Sequence, residues 1–168
     1  MKSTDVANYL IERWGQDYPV TNLKLNKMVY YAQVESIAMT GEPLFDDRIE
    51  AWQYGPVEPA VYHAFCSHGR SRITEPTERV KIEPEAAQII DSAANKFGSL
   101  SAFDIVSLSH RPDGAWAKVY TPDYDAEITV DVIKASKDIE AQRPESFSAT
   151  LDDVAQSMPN ALKMLETS

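Results

Sequence analysis

Apolar residues recur three and four positions apart through most of the chain, and that period predicts helices. Thr4 can cap a first segment, Asp5 to Trp14, in which Val6, Leu10, Ile11 and Trp14 share a face and Gly15 supplies a stop. Thr21 can cap a second, longer helix ending near Gly41. Leu25, Met28, Val29, Ala32 and Ile37 give it a wide apolar face, which predicts a central position, with Lys24 and Lys27 as neighbours on its other side. A third helix starts between Pro56 and Pro59, because proline is accommodated only in a first turn. Its stripe is Val57, Ala60, Val61, Ala64 and Phe65. Pro84 opens a fourth, with Ala86, Ile90, Ala93 and Phe97 on one side and Gly98 at its end. Ser101 and Asp104 form a capping box for "AFDIVSLSH", which must stop before Pro112. "DGAWAKVY" restarts with Trp116, Val119 and Tyr120 at helical spacing. Thr129 can cap a last helix, "VDVIKASKDIEAQ", with Ile128 and Ile133 as a hydrophobic staple.

Alternation is confined to short stretches. "RIEAWQY" reads as a half-buried strand, and "SRIT" and "ERVKIE" are extended pieces able to pair with it. The predicted fold is therefore mainly α (α+β): about six helices with a small antiparallel β element near residues 48–54 and 72–82. Beyond Arg143-Pro144 the pattern changes to one amphipathic stripe, Leu151, Val154, Met158, Leu162 and Leu165, interrupted by Pro159. Residues 1–143 are expected to form the helical domain and 144–168 a carboxyl-terminal helical extension.

Composition narrows the function more than the fold. With 168 residues, 43% hydrophobic and 25% charged, the chain is an ordinary globular candidate. No apolar run is long enough to cross a bilayer, and the amphipathic amino terminus lacks the continuous core of a signal peptide, so a cytoplasmic location is expected. The formal charge of −10 opposes nucleic-acid binding, which depends on neutralising phosphates. The same field favours encounter with basic proteins. A single cysteine, Cys66, allows no internal disulfide and no cysteine-based metal site.

Catalytic patterns are missing from the sequence. His63 and His68 stand five apart, which points them in different directions on a helix, and His110 stands alone. Ser109 precedes His110, but adjacent helical residues do not face each other. There is no GxSxG elbow and no GxxxxGK[ST] phosphate loop. The pairs Asp46-Asp47 and Asp152-Asp153 read as solvated turns or first helical turns. No catalytic residue, metal or cofactor is assigned, and the expectation is a protein that is not an enzyme.

The run "IEAWQYGPVEPAVYHAF", residues 49–65, is different. Trp52 and Tyr54 occupy alternate positions and are predicted to share one face of a strand, and Gly55-Pro56 stiffens the backbone after them. Rigid Trp and Tyr side chains suit a binding hot spot, yet a tryptophan before a tight turn also serves as a core plug. Residue types alone leave both readings open.

Three blocks in order, "TNLKLNKMVYYAQ" (21–33), "GEPLFDDRIEAWQYGPVEPAVYHAF" (41–65) and "LSHRPDGAWAKVY" (108–120), resemble the Panacea domain of SocA-like antitoxins. Asn26 and Met28 stand where glutamine and leucine are common in that family. The resemblance implies a non-enzymatic antitoxin that neutralises a cognate protein toxin by direct binding. It also admits a proteolytic adaptor delivering its toxin to a Clp-type protease. Motif positions that carry over as partner-binding candidates are Lys24, Lys27, Tyr31, Trp52, Tyr54, Gly55, Pro56, His110 and Trp116, expected to line an aromatic and lysine-rich cleft. A small hydrolase built on His63 and His110 is the competing reading.

Overall fold

In the computed structural model residues 1–140 are described, and the predicted extension from residue 144 lies outside them. The predicted helical starts and stops come from local chemistry, and most are present. Helix α1 spans Ser3–Trp14. Helix α2 spans Asn22–Thr40; the Thr21 side chain accepts from the Lys24 N–H, and Gly41 closes it at φ 79°. Helix α3 spans Pro59–Phe65 and is capped by the Glu58 carboxylate. Helix α4 (Pro84–Phe97) opens on its proline, and α5 (Ala102–Ser109) is capped by Ser101. Helices α6 (Ala115–Val119) and α7 (Val130–Lys134) are short, and Thr129 caps α7. The fold is mainly helical, with one small antiparallel sheet.

That sheet differs from the expectation in its partners. Strand β1 (Glu50–Trp52) pairs with β2 (Gly55–Val57) and with β3 (Ala126–Glu127), in the order β2-β1-β3. Trp52 lies opposite Gly55, so a two-residue turn, Gln53-Tyr54, joins β1 to β2. Residues 72–82 form no strand. Their backbone is engaged by the α1 region instead: Ile73 N–H donates to Val20 O, and Thr77 N–H donates to Asn8 Oδ1. Arg72 donates to the carbonyls of Gly15 and Gln16. Ile73 is a buried plug, and the polar residues around it give no alternating face for a sheet to cover.

Helix α2 is central, as predicted, but it has no solvent-facing polar side. It is packed by α1, α3, α4, α5 and α7, and its polar residues are buried with the rest. Several of these polar groups meet a distant loop or helix. Lys24 Nζ donates to Gly98 O at 2.6 Å, and Gln33 bonds the backbone of Leu44 and Phe45. Glu35 accepts from Ser92 Oγ at 2.7 Å and from Lys96 Nζ at 2.6 Å. Buried polar groups that are paired in this way fix register as well as closing the ladder of donors and acceptors.

The predicted last helix is broken. After α7, Ser136 Oγ donates to Ile133 O and accepts from Asp138 N–H, and residues Lys137–Glu140 turn as a 3-10 helix. The break aims the buried Asp138 carboxylate at the core, where its Oδ2 accepts from Tyr30 OH and from Ala115 N–H. Asp138→Ala would strand both donors, so a loss of about 2 kcal/mol in urea unfolding is expected.

Candidate functional site

The hairpin carries the strongest binding candidates of the sequence, and the structure shows how it is held. Three of its carbonyls are engaged by side chains from three different helical segments. Trp52 O accepts from Trp116 Nε1 at 2.7 Å; Gln53 O faces His110 Nε2 at 3.3 Å; Pro56 O accepts from Lys27 Nζ at 2.9 Å. Gly55, at φ 103°, passes so close to Lys27, Ser109 and His110 that no side chain fits there. The result is a turn fixed from beneath, with its aromatic side chains directed outward.

Electrostatics of this supporting layer are unusual. Burial alone pushes the Lys27 ammonium down to about 7. His110 is pushed down to about 4, chiefly by burial; the carbonyls of Val106 and Gln53 partly oppose this, and Lys27 adds to it. The influence runs one way because Lys27 charges first on acidification, while His110 is still neutral. Each His110 ring nitrogen faces a carbonyl, with Nδ1 at 2.7 Å from Val106 O. A neutral ring can donate to only one of them at a time, so the two carbonyls compete for its single proton.

Above this layer lies a groove of about 330 Å³, lined by Leu23 and Asn26 of α2, Trp52, Tyr54 and Val57 of the hairpin, and Tyr62 and Cys66 beyond it. Its floor is apolar and its walls are stiff. Trp52 packs edge-on against Tyr62 with ring centroids 5.0 Å apart, and its indole N–H donates to Glu50 at 2.7 Å. Asn26 donates to Asn22 and accepts from Glu58 N–H. The Glu58 carboxylate in turn caps α3 and accepts from Ser3 Oγ.

The predicted site residues thus fall into three groups. Trp52 and Tyr54 line the groove, although Tyr54 stands in the turn and not on the strand predicted to carry both. Lys27, Gly55, Pro56, His110 and Trp116 form the layer beneath; Trp116 packs at a tilt on His110, with ring centroids 4.1 Å apart, and stacks on Tyr120 at 4.4 Å. Lys24 and Tyr31 are elsewhere. Lys24 is buried against Gly98 and Tyr18, and Tyr31 is enclosed, its ring stacked on Phe97 at 4.3 Å. The lysines therefore support the groove or the core, and their ammonium groups are covered. His63 is exposed on α3 and His110 is buried, and neither lines the groove.

Tyr62, Cys66 and Asn26 are groove residues that sequence reasoning did not select as partner-binding. Tyr62 had a signal: it falls off the Val61-Phe65 stripe of α3 and is a large exposed aromatic. Among the described residues no three His, Cys, Asp or Glu side chains gather as they would around a metal. No described helix is long and apolar enough to cross a membrane.

Comparison with known proteins places this architecture in a class. Residues 25–117, from α2 through the hairpin to α6, match the family described as Antitoxin SocA-like, Panacea domain, and the chain belongs to that family. A particular relative is Antitoxin SocA of Caulobacter vibrioides (strain NA1000 / CB15N). The two are 31% identical over 124 residues, which cover 66% of this chain and 66% of the relative. No solved structure matches the chain. Membership supports an antitoxin role.

Proposed function

We propose that this protein is an antitoxin that neutralises a cognate protein toxin by direct binding, without catalysis, and that the groove around Trp52 receives a segment of the toxin. One observation carries the reading. Trp52, Tyr54 and Tyr62 surround an apolar concavity on a hairpin held by Lys27, His110 and Trp116, so the aromatic surface is already ordered before a partner arrives. Preordered aromatics lose little entropy on binding, which is the condition for a hot spot. The buried carbonyl contacts are made by backbone atoms of Trp52 and Gln53, so removing the Trp52 ring leaves them in place.

Trp52→Ala is therefore expected to retain the fold by circular dichroism and to lower toxin affinity by about 2 kcal/mol, roughly thirtyfold. The test is co-expression with the product of the adjacent open reading frame. Wild type should relieve growth arrest, and Trp52→Ala and Tyr62→Ala should relieve it poorly at equal protein levels. Full rescue by both variants would overturn the assignment of the groove.

A further inference from the structure

Trp52 has a second exposed side. A separate concavity, also about 330 Å³, is lined by Trp52, Tyr120, Asp123, Tyr124 and Asp125 with neighbouring backbone. Trp52 is the ridge between this notch and the apolar groove. Each flank carries an exposed aromatic ring: Tyr62 in the groove is 37% exposed and Tyr124 in the notch is 66% exposed. The two concavities are thus one continuous surface, apolar on one side and acidic-aromatic on the other.

Among the described residues the notch carboxylates form no ion pair. Arg48, which donates to the backbone carbonyl of Asp125 beside the notch, is itself engaged by Glu50 at 3.1 Å and Glu127 at 3.2 Å. Among the described residues the carboxylates of Asp123 and Asp125 have no hydrogen-bond or ion-pair partner. They project from a tight turn in which Tyr124 N–H donates to Thr121 O, with Asp123 at φ 62°. Three aromatic rings beside two unpaired carboxylates form an environment that is complementary to a planar cation. Arginine matches it better than lysine, because guanidinium stacks on rings and donates to two carboxylate oxygens at once.

Resting on the groove reading, we propose that the bound segment carries two features: an apolar or aromatic anchor for the groove and, within about three residues, an arginine for the Asp123/Asp125 notch. In an extended peptide, side chains two positions apart lie on one face roughly 7 Å from each other, which is the reach needed to straddle a single indole. The net charge of −10 adds attraction at a distance.

Panning a random-peptide phage library on the full chain, with counter-selection on Trp52→Ala, tests this without knowledge of the toxin. Trp52-dependent peptides should carry a basic residue within about three positions of a large apolar one. Asp123→Asn/Asp125→Asn, or citrulline in place of the peptide's arginine, should each weaken binding about tenfold, and the loss should shrink near 0.5 M salt. Trp52-dependent peptides that lack a basic residue, or that bind the double variant equally well, would overturn the notch and leave the groove standing. Failure to recover any Trp52-dependent peptide would overturn both.

Discussion

Gly55→Val is expected to destabilise the protein by about 4 kcal/mol, lowering the melting temperature by roughly 10–20 °C. Two costs combine. The residue sits at φ 103°, where a branched side chain is strained. Its Cβ would also lie 2.7 Å from Ser109 Oγ, 2.9 Å from Lys27 Cε and 3.1 Å from His110 Cε1. None of these can retreat easily, because Ser109 Oγ is bonded to Val106 O and Lys27 Nζ to Pro56 O. Gly41→Ala separates the two costs. Gly41 has φ 79° but nothing within 4 Å of an added Cβ, so it should cost only about 1 kcal/mol. Equal losses at the two sites in urea unfolding would show that the layer beneath the hairpin is not tightly packed.

The second large effect concerns pH. Lys27 has a folded-state pKa near 7, well below the ordinary lysine value. Between that value and about 10.4 the unfolded chain holds a proton on this amine and the folded chain does not. Stability therefore rises with pH across that window, by on the order of 5 kcal/mol, and the full penalty of burying the charge is present below pH 7. Lys27→Met keeps the volume and removes the amine. It should flatten the stability profile between pH 7 and 10, at the cost of leaving Pro56 O without its donor, about 1–3 kcal/mol. It should also let the His110 pKa rise from about 4, since the charge of Lys27 contributes to holding it down. Urea midpoints of wild type and variant at pH 6, 7, 8, 9 and 10 give the result directly. Parallel profiles would mean that Lys27 is charged in the folded protein at neutral pH.

That pH response acts on the same element that the proposed function assigns to binding. Charging Lys27 places a desolvated ammonium directly beneath Pro56, one residue beyond Gly55 and next to the groove's Val57. If the groove receives the toxin as proposed, variants in the hairpin's supporting layer should lower both stability and toxin affinity.

Much of this molecule was determined by sequence alone, because much of it is local. Thr21, Ser101 and Thr129 cap helices, Pro84 opens one, and Gly41 closes another, each through groups only a few residues away. Trp52 and Tyr54 are recognisable as a pair by their types and spacing. What the tertiary structure decided was the environment of the polar residues. Helical period places Lys24 and Lys27 away from the apolar face, yet their acceptors are backbone carbonyls 74 and 29 residues distant. Tyr30 finds Asp138 across 108 residues, and β1 finds β3 in a loop that no alternation marked. A carbonyl carries no residue-type signal, so a buried lysine satisfied by one looks in the sequence like a solvated lysine. Only the folded chain, by bringing those carbonyls inward, turns residues that read as a cleft into the layer on which the cleft is built.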